Sequence, residues 1–231
     1  MPVRSHLSSA LVATLVATLG PACTEPLEPG LYLRGAAIIT GRGEAPLSGH
    51  AVLIRGETIA GIEPETDRVP EGLEPIDLDG LTLMPGLIDA HVHIATEEST
   101  MEVALDLFLD YGVTTVRDLG SPLERVLELR GSIDEGATSG PRMLVSGPFF
   151  TAPGGHPAVT MFESDPWFLE HAHRFPADEP AARLMVRDLA EEGVDVIKCI
   201  LTDCPWRTPC ERLDVAILEA IVEEAHALDL P

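Results

Sequence analysis

The chain has 231 residues, 38 acidic against 15 basic, a formal net charge of -23 and a hydrophobic content of 45%. That apolar content excludes a disordered chain and suits one large domain or two small ones. The negative charge repels nucleic-acid phosphates and anionic head groups, so no nucleic-acid or membrane-surface partner is expected, and it favours solubility.

Residues 1–29 read as an address and a linker. Arg4 precedes an apolar run from Leu7 to Leu19 that ends in small residues before Cys23, and the run is too short to span a bilayer. Cys23, preceded by Ala22, resembles the lipid-accepting cysteine of bacterial lipoproteins, although Gly20 and Pro21 depart from the aliphatic-then-small pattern. A secretory signal cleaved nearby and a disordered cytoplasmic leader are the alternatives. The expectation is an exported protein, periplasmic or held at a membrane by lipid. Export permits disulfides, which makes Cys204 and Cys210 of CPWRTPC candidates for a short staple, with two unpaired thiols as the alternative.

Residues 30–81 carry short β-rich runs separated by Gly and Pro, with strands near Leu31 to Thr40, Ala51 to Ile62 and Ile76 to Met84. They predict a small antiparallel β-segment. From residue 82 apolar strands alternate with amphipathic helices, the pattern of parallel βα units. The expected order is a strand near Leu83 to Ile94, a helix near Glu98 to Tyr111, a strand at Val113 to Leu119, and a helix ending near Ile133. Ser121, Pro122 and Glu124 form the capping-box start of that second helix. A third strand covers Arg142 to Gly147, followed by an irregular stretch to about Ala177 of a length that marks functional loops. A helix at Asp178 to Glu192, a fourth strand at Val194 to Ile200 and a helix at about Leu213 to Leu228 complete the chain.

The predicted fold class is therefore α/β: the first four βα units of a (β/α)8 barrel preceded by a small β-sandwich segment. Parallel strands buried on both faces cannot end in water without exposing an edge, and a closed barrel needs about 250 residues. Residues 82–231 are accordingly expected to form half a barrel, truncated or completed by another polypeptide.

In PGLIDAHVH, His91 and His93 lie two apart on a predicted strand and project from one face, about 7 Å apart, which lets two imidazoles converge on one metal. Asp89 shares that parity and is a candidate to orient a ligand. A second pair, His171 and His173, sits between Pro166 and Pro176 in an irregular or briefly helical stretch and is read as surface or loop. His226 reads as a solvated helix residue. Lys198 shares parity with Val194, Val196 and Ile200, so its ammonium points into the barrel, where it is costly unless paired or altered; the alternative is an amine reaching solvent or an anion at the strand's end. Arg117 and Asp118 are expected to form a structural ion pair at the barrel mouth.

PGLIDAHVH, GVTTVRDLG (Gly112 to Gly120) and GVDVIK (Gly193 to Lys198), in that order, resemble the amidohydrolase superfamily, in the branch of imidazolonepropionases and metal-dependent dipeptidases. The resemblance covers about residues 31–231. It implies that the amino-terminal β-segment joins a later segment in a composite sandwich, that His91 and His93 bind one metal, usually zinc, and that Lys198, carboxylated by carbon dioxide, bridges two. It implies a metal-activated hydroxide attacking a carbonyl next to nitrogen, with an amide, cyclic amide or dipeptide as small-molecule substrate. Two further histidines, from strands 5 and 6, and a proton-carrying aspartate from strand 8 belong to that pattern and lie beyond these residues, so the chain alone is expected to be inactive. TAPGGHPAV (Thr151 to Val159) is similar to the segment after strand 3 that approaches substrate, which makes Gly154, Gly155 and His156 candidate substrate contacts; a glycine turn with an exposed histidine is the alternative. The competing reading is an inactive exported fragment acting as a metal- or partner-binding module. A phosphate-binding βα domain lacks a glycine-rich phosphate loop.

Overall fold

A computed structural model describes residues 29–96, 101–204 and 209–231, except the side chains of Met101 and Glu102. Cys23 and the leader lie outside the described residues. The chain divides into two compact units between Pro85 and Gly86. No helix among the described residues is long and apolar enough to cross a membrane.

The first unit holds six strands: β1 (Gly30–Arg34), β2 (Ala37–Ile38), β3 (His50–Arg55), β4 (Thr58–Pro64), β5 (Leu73–Asp77) and β6 (Thr82–Leu83). Each long predicted strand is broken where glycine or a turn intervenes. Gly56, at φ +53, opens the two-residue turn joining β3 to β4, where a side chain would strain the backbone. The sheet order is β4-β3-β1-β5, and β1 pairs antiparallel with β3 but parallel with β5. The expected antiparallel segment is thus a mixed sheet, because β5 returns to β1 through a long connection instead of a hairpin. Tyr32, Ala51, Leu53 and Leu73 form its core, and the Tyr32 hydroxyl accepts from the Thr66 N–H at 3.2 Å.

The second unit is mixed α/β. It begins with β7 (Leu87–Val92), α1 (Met101–Asp110), β8 (Val113–Asp118), α2 (Leu123–Asp134) and β9 (Arg142–Val145). These strands form a parallel sheet in the order β7-β8-β9. Val116, Met143 and Val145 pack with Leu105 of α1 and Val126 of α2 on one face. The predicted capping box does not form: Pro122 occupies the cap, and Ser121 Oγ donates to the Asp118 carboxylate at 2.8 Å, a charge-assisted bond that turns the hydroxyl away from the helix N–H groups.

The stretch expected to be irregular carries β10 (Phe149–Phe150), α3 (Ala158–Met161), α4 (Pro166–Ala172) and β11 (His173–Arg174), with β10 and β11 paired in parallel. α5 (Glu179–Glu191) and α6 (Val215–Ala227) follow, capped by the side chains of Asp178 and Asp214. The fourth strand is absent as a regular element. Val194 to Ile200 bends at Asp195 and keeps one bridge, from Cys199 to Phe150. Asp195 explains the irregularity: its backbone N–H donates to the Val145 carbonyl, while its carboxylate takes the Val145 N–H at 2.9 Å, where a ladder would place a carbonyl. Phe150 then holds the far end through Lys198 and Ile200 backbone bonds of 2.8 and 2.9 Å.

Candidate metal centre

β7 ends at Val92, and the chain turns just beyond His93. The two imidazole centroids stand 5.2 Å apart, their planes inclined at 69°, and both rings face a cavity of about 720 Å³. His93 Nδ1 lies 3.1 Å from the Gly120 carbonyl oxygen. A carbonyl only accepts, so Nδ1 carries the proton and the Nε2 lone pair is left for a cation. Burial, then the nearby positive charge of Lys198, holds His91 below the ordinary histidine pKa and favours the neutral ring that binds metal.

The backbone beside His93 is fixed by a residue the sequence assigned elsewhere. Asp118, fully buried on β8, accepts from the Ile94 N–H at 2.7 Å, the Gly120 N–H at 3.2 Å and Ser121 Oγ. One carboxylate thus ties the turn after His93 to the turn whose carbonyl holds the His93 ring. The expected Arg117–Asp118 ion pair does not form, since neighbours on a strand point to opposite faces; Arg117 Nε donates to the Ala90 carbonyl at 2.9 Å. Gly120 was equally unmarked: at φ +142, a Cβ there would stand 1.9 Å from the Phe149 ring. Its place at the end of GVTTVRDLG was the available signal.

Lys198 lines the same cavity, with burial and then Arg117 lowering its ammonium pKa from the ordinary value. His156 lines it too, its Nδ1 2.6 Å from Thr160 Oγ1. Gly154 and Gly155 do not line it; they shape the loop instead, pairing with Glu211, and a Cβ on Gly155 would meet Thr151 Oγ1 at 2.5 Å. Asp89 accepts from the His91 backbone N–H at 3.1 Å, so it holds the strand and not the ring. Beside Lys198, burial pushes the Cys199 thiol up to about 11, which makes it a poor ligand at neutral pH. Among the described residues no group of three or more His, Cys, Asp or Glu is placed to hold a metal, so the donor set present is two histidines with Lys198.

The second histidine pair corrects its expectation. His171 stacks on Trp167 at 4.5 Å, but His173 is 3% exposed, caged by Phe149, Phe162, Phe168 and Phe175. Its alternation with apolar aromatics gave β11 a buried side that a loop reading overlooks. His226 is exposed, as expected. Cys204 and Cys210 are joined in a disulfide, Cα atoms 5.5 Å apart, resolving the two readings in favour of the staple. A larger groove of about 960 Å³ along α2 and α4 holds none of the sequence-predicted site residues.

These features agree with known proteins. The family model described as the amidohydrolase family matches residues 82–231. Adenine deaminase 3 of Rhizobium johnstonii is 26% identical over 162 residues, spanning 69% of this chain and 26% of that protein. The imidazolonepropionase of Thermoplasma acidophilum is 42% identical over 69 residues, 25% of this chain and 16% of that protein. A prolidase crystallised with N-methylphosphonate-L-proline superposes with a TM-score of 0.71 at 26% identity, covering 87% of this chain and 54% of that one. The chain thus spans about a quarter of the deaminase and about half of the prolidase. With the histidine pair at the end of β7 and the matching model over residues 82–231, this chain belongs to the amidohydrolase family.

Proposed function

We propose that the protein acts as a metal-dependent hydrolase of carbon–nitrogen bonds in small amides, cyclic amides or dipeptides. The observation that carries this is the His91–His93 pair, with His93 Nδ1 engaged by Gly120 so that its other nitrogen is available beside the cavity. His91 and His93 would hold one zinc-like divalent ion, and Lys198, once carboxylated, would bridge to a second. Such an ion supplies Lewis acidity, polarising a carbonyl and lowering the pKa of water. The chain's own part is to keep His91 neutral, to orient the His93 ring through Gly120, to hold their backbone through Asp89 and Asp118, and to present the His156 loop to substrate. The parallel βα units support placement in a partial barrel whose carboxyl-terminal strand ends carry the site. Adenine deaminase and prolidase among the similar proteins support carbon–nitrogen chemistry. The Leu7 to Leu19 run and the Cys204–Cys210 disulfide support an exported location, periplasmic or lipid-anchored at Cys23.

The donor set of two histidines and a lysine favours one second reading, a module that binds metal without turnover. Metal content and hydrolysis of a panel of dipeptides and cyclic amides separate the two, measured on this chain together with the later barrel strands that the family resemblance implies. The hydrolase reading expects zinc-dependent product release that His91→Ala abolishes together with metal binding. Lys198→Ala lowers the rate, and a short carboxylic acid restores part of it. Metal binding without turnover selects the module, and full turnover by His91→Ala refutes the site.

A further inference from the structure

The cavity has two unlike sides. One carries His91, His93 and Lys198; the other is built by α3, α4 and the turn between them. There Phe162 stacks on Phe168 at 4.0 Å between centroids, and Met161 is 64% exposed. Phe149 connects the sides: its ring meets His93 at 6.3 Å and belongs to the same apolar cluster as Phe168. Asp165 is the one carboxylate among the described lining residues; its Oδ1 caps α4 by accepting from the Phe168 N–H at 2.9 Å. Such a wall favours groups that gain by leaving water and offers few partners to a polar ring, whose unpaired donors and acceptors would be costly to bury.

We infer that the Met161–Phe162 wall is a specificity subsite that receives an apolar side chain of the substrate, with Asp165 turning away acidic side chains. This inference rests on the hydrolase reading above and narrows its substrate class. Met161 and Phe162 supply the contact, and Asp165 supplies the discrimination by like-charge repulsion.

Saturation-transfer NMR on the 231-residue chain tests it with N-acetyl-L-leucinamide and the α-amide of N-acetyl-L-aspartic acid, whose side chains are similar in size. The leucyl probe is expected to bind about tenfold more tightly, the gain of a partly buried apolar side chain. Asp165→Asn keeps the cap, since asparagine caps as well as aspartate, and is expected to narrow the ratio about threefold by strengthening the aspartyl probe. Met161→Lys, at an exposed position, narrows it further. Equal affinities, an aspartyl preference, no transfer to the leucyl probe, or a ratio untouched by both variants overturns the subsite. Zinc titration of the same samples keeps the two proposals apart. Zinc bound through His91 and His93 without a leucyl preference defeats the subsite alone. A leucyl preference without zinc binding leaves an apolar binding site and removes the hydrolase reading.

Discussion

His91 and His93 stand side by side over an open cavity, whereas His171 and His173, with the same spacing, part company within one turn of chain. The first pair sits where an extended strand gives way to a turn, so both rings stay on the cavity side. The second straddles the junction of α4 and β11, which sends one ring onto Trp167 and the other into a cage of phenylalanines. Nδ1 of His173 is also held by a carbonyl, that of Phe168 at 3.3 Å, yet its Nε2 is buried and has no hydrogen-bond partner among the described residues. A fixed tautomer is therefore not enough to make a ligand. The free nitrogen must also face room for an ion.

The largest expected effect that sharpens this contrast lies outside both pairs. Asp118→Ala leaves the Ile94 and Gly120 N–H groups and Ser121 Oγ without their acceptor, and is expected to cost about 3 kcal/mol in urea unfolding while weakening metal binding at His93. Unchanged stability would show that the two turns are held some other way. His173→Ala comes next, at about 2 kcal/mol for the hole left among the rings. His171→Ala, by contrast, stays within about 0.5 kcal/mol, because its stacking on Trp167 lies at the surface. Equal costs at 171 and 173 would erase the difference between core and surface histidine.

Acid sharpens it further. Burial holds His173 below the ordinary histidine pKa, so the folded chain refuses a proton that the unfolded chain accepts near pH ~6.5. Its contribution is complete above that value and is lost as pH falls toward the folded pKa. His91 acts in the same sense. Urea midpoints measured from pH 7 to 5 should fall less steeply in His173→Phe than in the parent; an identical slope contradicts the buried assignment.

The regular parallel strands were legible because β7, β8 and β9 read as short apolar or β-branched runs closed by glycine or proline. The juxtaposition of the His91 and His93 rings was legible for the same reason, since strand parity needs no knowledge of distant residues. Asp118 was misassigned because one of its donors, the Ile94 N–H, reaches it only when β7 and β8 pair. The fourth strand looked complete in its apolar content, but Asp195 diverts a ladder hydrogen bond to its side chain, a choice that composition does not reveal. α3 was missed, and α4 was read only as an irregular or briefly helical stretch, because helices of four and seven residues are too short to show a period.

The most direct measurement is zinc affinity of the purified chain by calorimetry, comparing the parent with His91→Ala, His93→Ala and His171→Ala. Loss of at least about a hundredfold in the first two, with His171→Ala within about twofold of the parent, is the predicted result for a site that has lost one of its few ligands. Equal zinc binding in all four proteins contradicts a metal centre at His91 and His93.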